Sequence, residues 1–200
     1  MEESKLDPRV LRTRQLIMDA FRALVMQKDI KDITVGDITG RAKINRATFY
    51  AHFADKYALL DSTFEGMFRE GIMQKLQCHA EFSRQSLTGI IETLCEFHRE
   101  FSTQCQKNYD SMGPYMEVKI KQMLQEVLFH LMDKRDGGPH AGFDAETART
   151  GATMLAWSLF GITHAWNAGG RKLSPEELAA HALTSLAQSI GKLAGAAVTV

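Results

Sequence analysis

Between Thr34 and Phe53 the chain reads TVGDITGRAKINRATFYAHF, and from Arg46 onward hydrogen-bonding side chains alternate with small or aromatic ones. Arg46, Thr48, Tyr50 and His52 are of types that reach base edges and phosphate oxygens. Turned as a helix at about 100° per residue, the segment puts Phe49 and Phe53 on one face and Ala47 and Ala51 opposite. The phenylalanines suit burial against Val35, Ile38 and an earlier helix. The alanine face could lie deep in a major groove. Lys56 follows Asp55 at the start of the next helix, where the dipole and exposed amides favour a phosphate oxygen. A small helical hairpin packed only for stability is the competing reading of the same spacing.

Other reactive residues form no comparable set. Cys95 and His98 stand i, i+3 on an expected helix, but a closed zinc site needs four ligands and the spacing supplies no more. Cys78, Cys95 and Cys105 are odd in number and lack a CxxC, so reduced thiols are expected. There is no G-x-S-x-G elbow, phosphate loop or H-E-x-x-H pair, and neither an enzyme nor a bound cofactor is expected, although a triad can be scattered along a chain.

The elements that would position these residues announce themselves by caps and breaks. Asp7-Pro8 and Ser174-Pro175 have the order N-cap then N1 proline, and Ser174 with Glu177 makes a capping box. Thr34 with Asp37 makes another, while Asn45 and Asp55 can cap the two helices that follow. Gly113-Pro114, Gly137-Gly138-Pro139 and Gly169-Gly170 read as further boundaries. Between them apolar residues recur at three and four, as in Ile17, Phe21 and Leu24, and no stretch alternates with period two. The expectation is an all-helical fold, with helices near 8–28, 35–41, 46–52, 56–79, 87–107, 114–135, 144–168 and 175–195. Residues 35–52 form a helix-turn-helix. A head at 1–55 is expected to precede a larger body at 56–200.

The 200 residues carry 24 Lys and Arg against 24 Asp and Glu. Arg9 to Lys56 nevertheless holds ten basic and five acidic residues, so the head is basic and the remainder equally acidic. That asymmetry suits a nucleic-acid-binding head, or surface solubility alone. No secretory h-region opens the chain, and a cytoplasmic location is expected. The most apolar stretch, Met154 to Trp166, is 13 residues long and too short to span a membrane.

Thr34, Val35, Ile38, Ala42, Ile44, Thr48, Phe49, Tyr50, Phe53, Lys56, Leu59 and Leu60 resemble the N-terminal signature of the TetR family of bacterial transcriptional regulators, over about residues 10 to 65. The resemblance implies a homodimer with two recognition helices in successive major grooves of a near-palindromic double-stranded DNA operator, and a helical body that binds an inducer. By motif position it implies phosphate contacts from Thr34, Tyr50 and Lys56 and base contacts from Arg46, Ala47 and Thr48, with Thr48 and His52 also able to reach the backbone. The turn position commonly glycine in the family is Lys43 here. A left-handed backbone there would cost about 1–2 kcal/mol, or the turn takes another shape. Lys43 also adds a charge near DNA.

In the body, Ala148, Ala152, Leu155, Leu159, Ile162 and Trp166 form one stripe, and Leu183, Leu186, Ile190, Leu193 and Ala197 another. Met154, Trp157, Gly161 and Ala165 give the first of these helices a second apolar face. One face would meet its own body and one another subunit. A homodimer through the last two long helices is expected, with Leu155, Leu159, Ile162, Trp166, Leu183, Leu186 and Ile190 at the interface. Pocket candidates for a largely apolar small-molecule effector are Cys95, His98, Phe101, Tyr109, Tyr115, Met116, Met123, Trp157, Phe160 and His164, each equally readable as core. Ligand would favour a dimer whose recognition helices are wrongly spaced for DNA, through the helix from Lys56 to about His79, the expected sole link between head and body. A body that binds a protein partner instead is the alternative.

Overall fold

The computed structural model describes residues 7–76, 81–104, 106–132 and 144–197. Among them every regular element is helical: α1 (Pro8–Val25), a 3-10 helix (Ile30–Asp32), α2 (Val35–Ala42), α3 (Arg46–His52), α4 (Lys56–Leu76), α5 (Arg84–Gln104), α6 (Gln106–Met132), α7 (Ala145–Ala168) and α8 (Pro175–Ala197). The all-helical expectation holds. No described helix is long and apolar enough to cross a membrane.

The caps explain most helix starts. Asp7 accepts from the Arg9 amide, Asp144 from Thr147, and Asp55 from both Tyr57 and Ala58 at 2.8 Å. Ser174 and Glu177 exchange the two bonds of a capping box. α5 begins at Arg84 rather than near 87, because Ser83 and Ser86 cap each other reciprocally. α1 ends at Val25, short of the expected 28, and the chain then makes the 3-10 helix, which three residues are too few to reveal by periodicity.

Pro114 is the larger correction. It lies inside α6, so Gly113-Pro114 marks no helix boundary. A proline within a helix removes one i→i−4 bond, and the rest of the ladder continues past it. The Gly137-Gly138-Pro139 break, Cys78 and Cys105 lie outside the described residues.

The chain divides into two compact units, Met1–Met67 with Thr103–Gly113, and Phe68–Ser102 with Pro114–Val200. The chain therefore passes between units at three places, not through α4 alone. The first unit centres on Ile17, Phe21, Ile33, Ile38, Phe49, Phe53 and Leu59, all fully or nearly fully buried. Burial of one such side chain is worth about 1.5–3 kcal/mol. The second centres on Ile90, Ile91 and Leu94 of α5, Ile120, Leu124 and Leu128 of α6, and Ala152, Ala156 and Leu159 of α7. At the end of α7, Arg171 takes a left-handed conformation (φ 57°) and its amide donates back to the Trp166 carbonyl at 3.0 Å. Its guanidinium holds Asn167 Oδ1 at 2.8 Å and Ser102 Oγ at 2.6 Å, pinning α7 to α5.

Candidate nucleic-acid interface and effector site

α2 and α3 are built from their caps upward. Thr34 and Asp37 form the expected capping box: the Asp37 amide donates to Thr34 Oγ1 at 3.1 Å and the Thr34 amide to Asp37 Oδ2 at 2.8 Å. Lys28 Nζ lies 2.9 Å from the same carboxylate. Asp37 is held well below the usual carboxylate range, first by Lys28 and then by the Thr34 hydroxyl and amide. α2 stops at Lys43, which is left-handed (φ 56°, ψ 43°), and the Ile44 amide reaches the Thr39 carbonyl at 3.1 Å. Of the two shapes open to this turn, the strained one is present without a glycine.

Asn45 then caps α3, its Oδ1 accepting from the Thr48 amide at 2.7 Å and the Thr48 hydroxyl at 2.9 Å. Phe49 and Phe53 are buried beneath α3, and the Arg14 guanidinium lies 4.4 Å over the Phe53 ring. Arg46, Ala47, Tyr50 and Ala51 are exposed, and His52 and Thr48 are half-buried. Tyr50 is 56% exposed while its ring meets Phe49 edge-on. α3 is thus anchored by aromatic rings on one side and open on the other, with two methyl groups between polar side chains. Arg46 folds back toward the start of α2, its Nη2 3.0 Å from where a Cβ on Gly36 would stand.

Three of the expected DNA contacts have their donors engaged inside the head. The Thr34 hydroxyl donates to Asp37 at 2.7 Å, and the Thr48 hydroxyl to Asn45. Lys56 Nζ donates to the carbonyls of Ile30, Lys31 and Ile33, each at 2.9 Å. A lysine at a helix start does lack help from the dipole, and in the free chain three carbonyls hold its ammonium instead. Nothing in the local sequence signals this, because the carbonyls lie more than twenty residues away.

In the second unit the pocket candidates separate. His98 is 3% exposed, its Nε2 has no hydrogen-bond partner among the described residues, and burial, with His164 and Arg171 nearby, lowers its pKa to about 4. Its ring centroid lies 5.2 Å from Phe160 and 5.7 Å from His164, and Phe160 stacks on His164 at 5.9 Å. Trp157 joins through Lys121, whose Nζ lies 3.7 Å over the indole and 5.4 Å from the Phe160 centroid. Cys95 is buried and its thiol is pushed up to about 12, mainly by burial, which disfavours the reactive thiolate. Phe101 stacks on Phe97, Tyr115 faces outward beneath Lys119, Met116 is buried and Met123 half-buried. The side chains of Tyr109 and Ile190 lie outside the described residues.

Sequence reading missed Lys121 and Glu117. Lys121 is buried and pairs with Glu117 at 2.7 Å. The signal was a lysine beside Ile120 on the Met116, Ile120, Leu124 stripe.

Among the expected interface residues, Leu159 and Leu183 are buried within the single chain, while Leu155, Ile162, Trp166 and Leu186 are half-buried. The open apolar face of α7 is the other one, with Met154 67% and Trp157 58% exposed and Gly161 and Ala165 also exposed. Sequence cannot rank two apolar faces of one helix. The alanines at 148, 152 and 156 decide it here, since they admit close packing inward.

A sequence profile described as bacterial regulatory proteins, tetR family, matches residues 17–63. The chain is 42% identical over 65 residues to an uncharacterized HTH-type transcriptional regulator, YxbF, of Bacillus subtilis, a match covering 32% of this chain and 17% of that protein. It is 40% identical over 58 residues to the HTH-type dhaKLM operon transcriptional activator DhaS of Lactococcus lactis, covering 29% of this chain and 31% of that protein. These matches span less than a third of each relative. Over nearly the whole chain, the fold is that of a TetR transcriptional regulator from Streptococcus agalactiae, with a TM-score of 0.57, 22% identity, and coverage of 88% of this chain and 94% of that one.

Proposed function

We propose that this chain, which belongs to the TetR family of bacterial regulatory proteins, is a homodimeric DNA-binding transcriptional regulator controlled by a small molecule. The observation that carries the reading is the two-sided construction of α3, with Phe49 and Phe53 buried, and Ala47, Ala51, Arg46 and Tyr50 exposed. A helix that only stabilised the head would not need an open face of methyl groups between hydrogen-bonding side chains.

In this reading the head, residues 1–55, places α3 in the major groove. Arg46 and Ala47 face bases, and Thr48 offers its methyl group. Tyr50, His52 and Lys43 meet the phosphate backbone, while Thr34 and Lys56 position the helices that do so. Two copies meet through the exposed α7 face of Met154, Trp157, Gly161 and Ala165, together with α8. The body, residues 56–200, binds the effector, and binding shifts the dimer toward a spacing unsuited to half-sites about 34–36 Å apart. Release of DNA on ligand binding makes the protein a repressor. The Lactococcus relative is named an activator, so the sign belongs to the operator's position as well as to the protein.

The test is selection of bound duplexes from a random pool, then titration of the selected site at two salt concentrations. Enrichment of a two-fold-related sequence with steep salt dependence is expected. A folded dimer that enriches no sequence would overturn the reading.

A further inference from the structure

Among the described residues of the second unit, His98 and Lys121 are the buried polar groups that core packing does not explain. A buried imidazole nitrogen without a partner is a standing cost, and native proteins rarely keep one without use. His98 Nε2 has none among the described residues. Lys121 Nζ donates to Glu117 and otherwise, among the described residues, lies on the faces of Trp157 and Phe160. Both groups border the same Phe160 ring. Below the imidazole, Ser102 donates to the His98 carbonyl at 2.7 Å and is itself held by Arg171, which fixes this turn of α5.

The charges set the class of molecule that would fit. The Lys121 ammonium is already matched by the Glu117 carboxylate at 2.7 Å. His98 is uncharged near neutral pH. An amine would meet like charge from Lys121 and Arg171, and a carboxylate would have to draw Arg171 away from Asn167 and Ser102 or lie desolvated among aromatic rings. What the cluster lacks is one hydrogen-bonding group for one nitrogen, and what it offers beside that nitrogen is ring faces: Phe160 and His164 stacked, with Trp157 along the same helix.

We propose that this cluster binds an uncharged aromatic molecule bearing one hydroxyl, a phenol in its simplest form, with the hydroxyl on His98 Nε2 and the ring against Phe160 and His164. The site rests on the reading of the body as effector-binding and names the class of effector.

The experiment uses the full chain and three probes of similar shape: 4-ethylphenol, ethylbenzene and 4-ethylbenzoate. Binding is followed by calorimetry and by tryptophan fluorescence, since Trp157 is one of two tryptophans. Saturable binding of ethylphenol is expected, with ethylbenzene about tenfold weaker or more and ethylbenzoate weaker still. His98→Phe abolishes the preference for the hydroxyl while ethylbenzene still binds. Nitrogen-15 spectra of the wild-type imidazoles give a second readout that needs no variant, and the His98 Nε2 resonance moves on adding ethylphenol. No saturable ethylphenol binding, equal affinity for ethylphenol and ethylbenzene, or an unmoved His98 resonance overturns the proposal. DNA is absent throughout, so ethylphenol binding by a protein that selects no operator supports this site and overturns the regulator reading alone.

Discussion

Lys56, the first residue of α4, lies 2.9 Å by its ammonium from the carbonyl of Ile33, which directly precedes the capping box of α2. With the carbonyls of Ile30 and Lys31 this uses all three of its N–H bonds. It closes the 3-10 helix and ties α4 to the segment that leads into the helix-turn-helix. Asp29, whose carboxylate is lowered chiefly by the Lys31 amide, adds a negative charge on the same turn. Lys56→Met keeps most of the stem and deletes the donors, so it is expected to destabilise the head by on the order of 2–4 kcal/mol in urea unfolding. DNA binding weakens alike on every sequence. The salt dependence decides the role: the log–log slope stays unchanged for an internal clamp, whereas a phosphate contact would lower its magnitude by about one.

Lys43 tests the turn between α2 and α3. Its left-handed backbone carries a Cβ where glycine would carry none. Lys43→Gly is expected to stabilise the head by roughly 0.5–1 kcal/mol, the relief of strain exceeding the added freedom of the unfolded chain. Denaturant midpoints of the two proteins check this. A lower midpoint for the glycine variant would mean that the lysine makes a contact worth more than the strain.

The parts of this architecture that were legible in the sequence are those whose causes are local. Asp7, Thr34 with Asp37, Asn45, Asp55 and Ser174 with Glu177 each bond an amide within three residues, so a cap is written beside the helix it starts. The two faces of α3 follow from helical geometry in the same way. The internal partners of Lys56 are not legible, because its carbonyls are 23 to 26 residues distant and their direction depends on the folded head. Lys121 was passed over because a lysine beside an apolar stripe reads as solvated until rings are seen to cover it. Gly113-Pro114 reads as a break because most prolines end a helix, whereas α6 gives up the one hydrogen bond and runs on through Pro114.

Arg46 and Gly36 should act as one unit in sequence preference. A methyl group on Gly36 would stand 3.0 Å from Arg46 Nη2, closer than ordinary contact, and the guanidinium would have to move. Arg46→Ala is expected to cost about 1–3 kcal/mol on the selected operator and to relax preference at one base pair per half-site. Gly36→Ala is expected to disturb preference at the same base pair and to add little once Arg46 is alanine. Binding titrations on single-base variants of the operator measure both. Full additivity of the two substitutions, or preference lost at different base pairs, would separate the residues.

His98 makes the stability of the second unit depend on pH. The imidazole titrates at about 4 in the folded chain against 6.5 when free, because burial, then the electrostatic influence of His164 and Arg171, disfavours its cation, while Glu117 opposes them. Lys121, across the Phe160 ring, adds a further positive charge. Unfolding therefore takes up a proton between these values. The contribution is complete above about 6.5, fades as the pH falls toward 4, and changes no further below that. Its full size is on the order of 3 kcal/mol. Lowered carboxylates act in the same direction at lower pH, Asp144 below about 3.8 and Glu176 below about 4.5, and are common to both proteins compared. His98→Phe is accordingly expected to flatten the stability profile between pH 6.5 and 4 while leaving the acid limb in place. Urea unfolding of both proteins across that range makes the comparison, and parallel profiles would show that the wild-type imidazole already carries its proton in the folded chain, which the missing partner on Nε2 argues against.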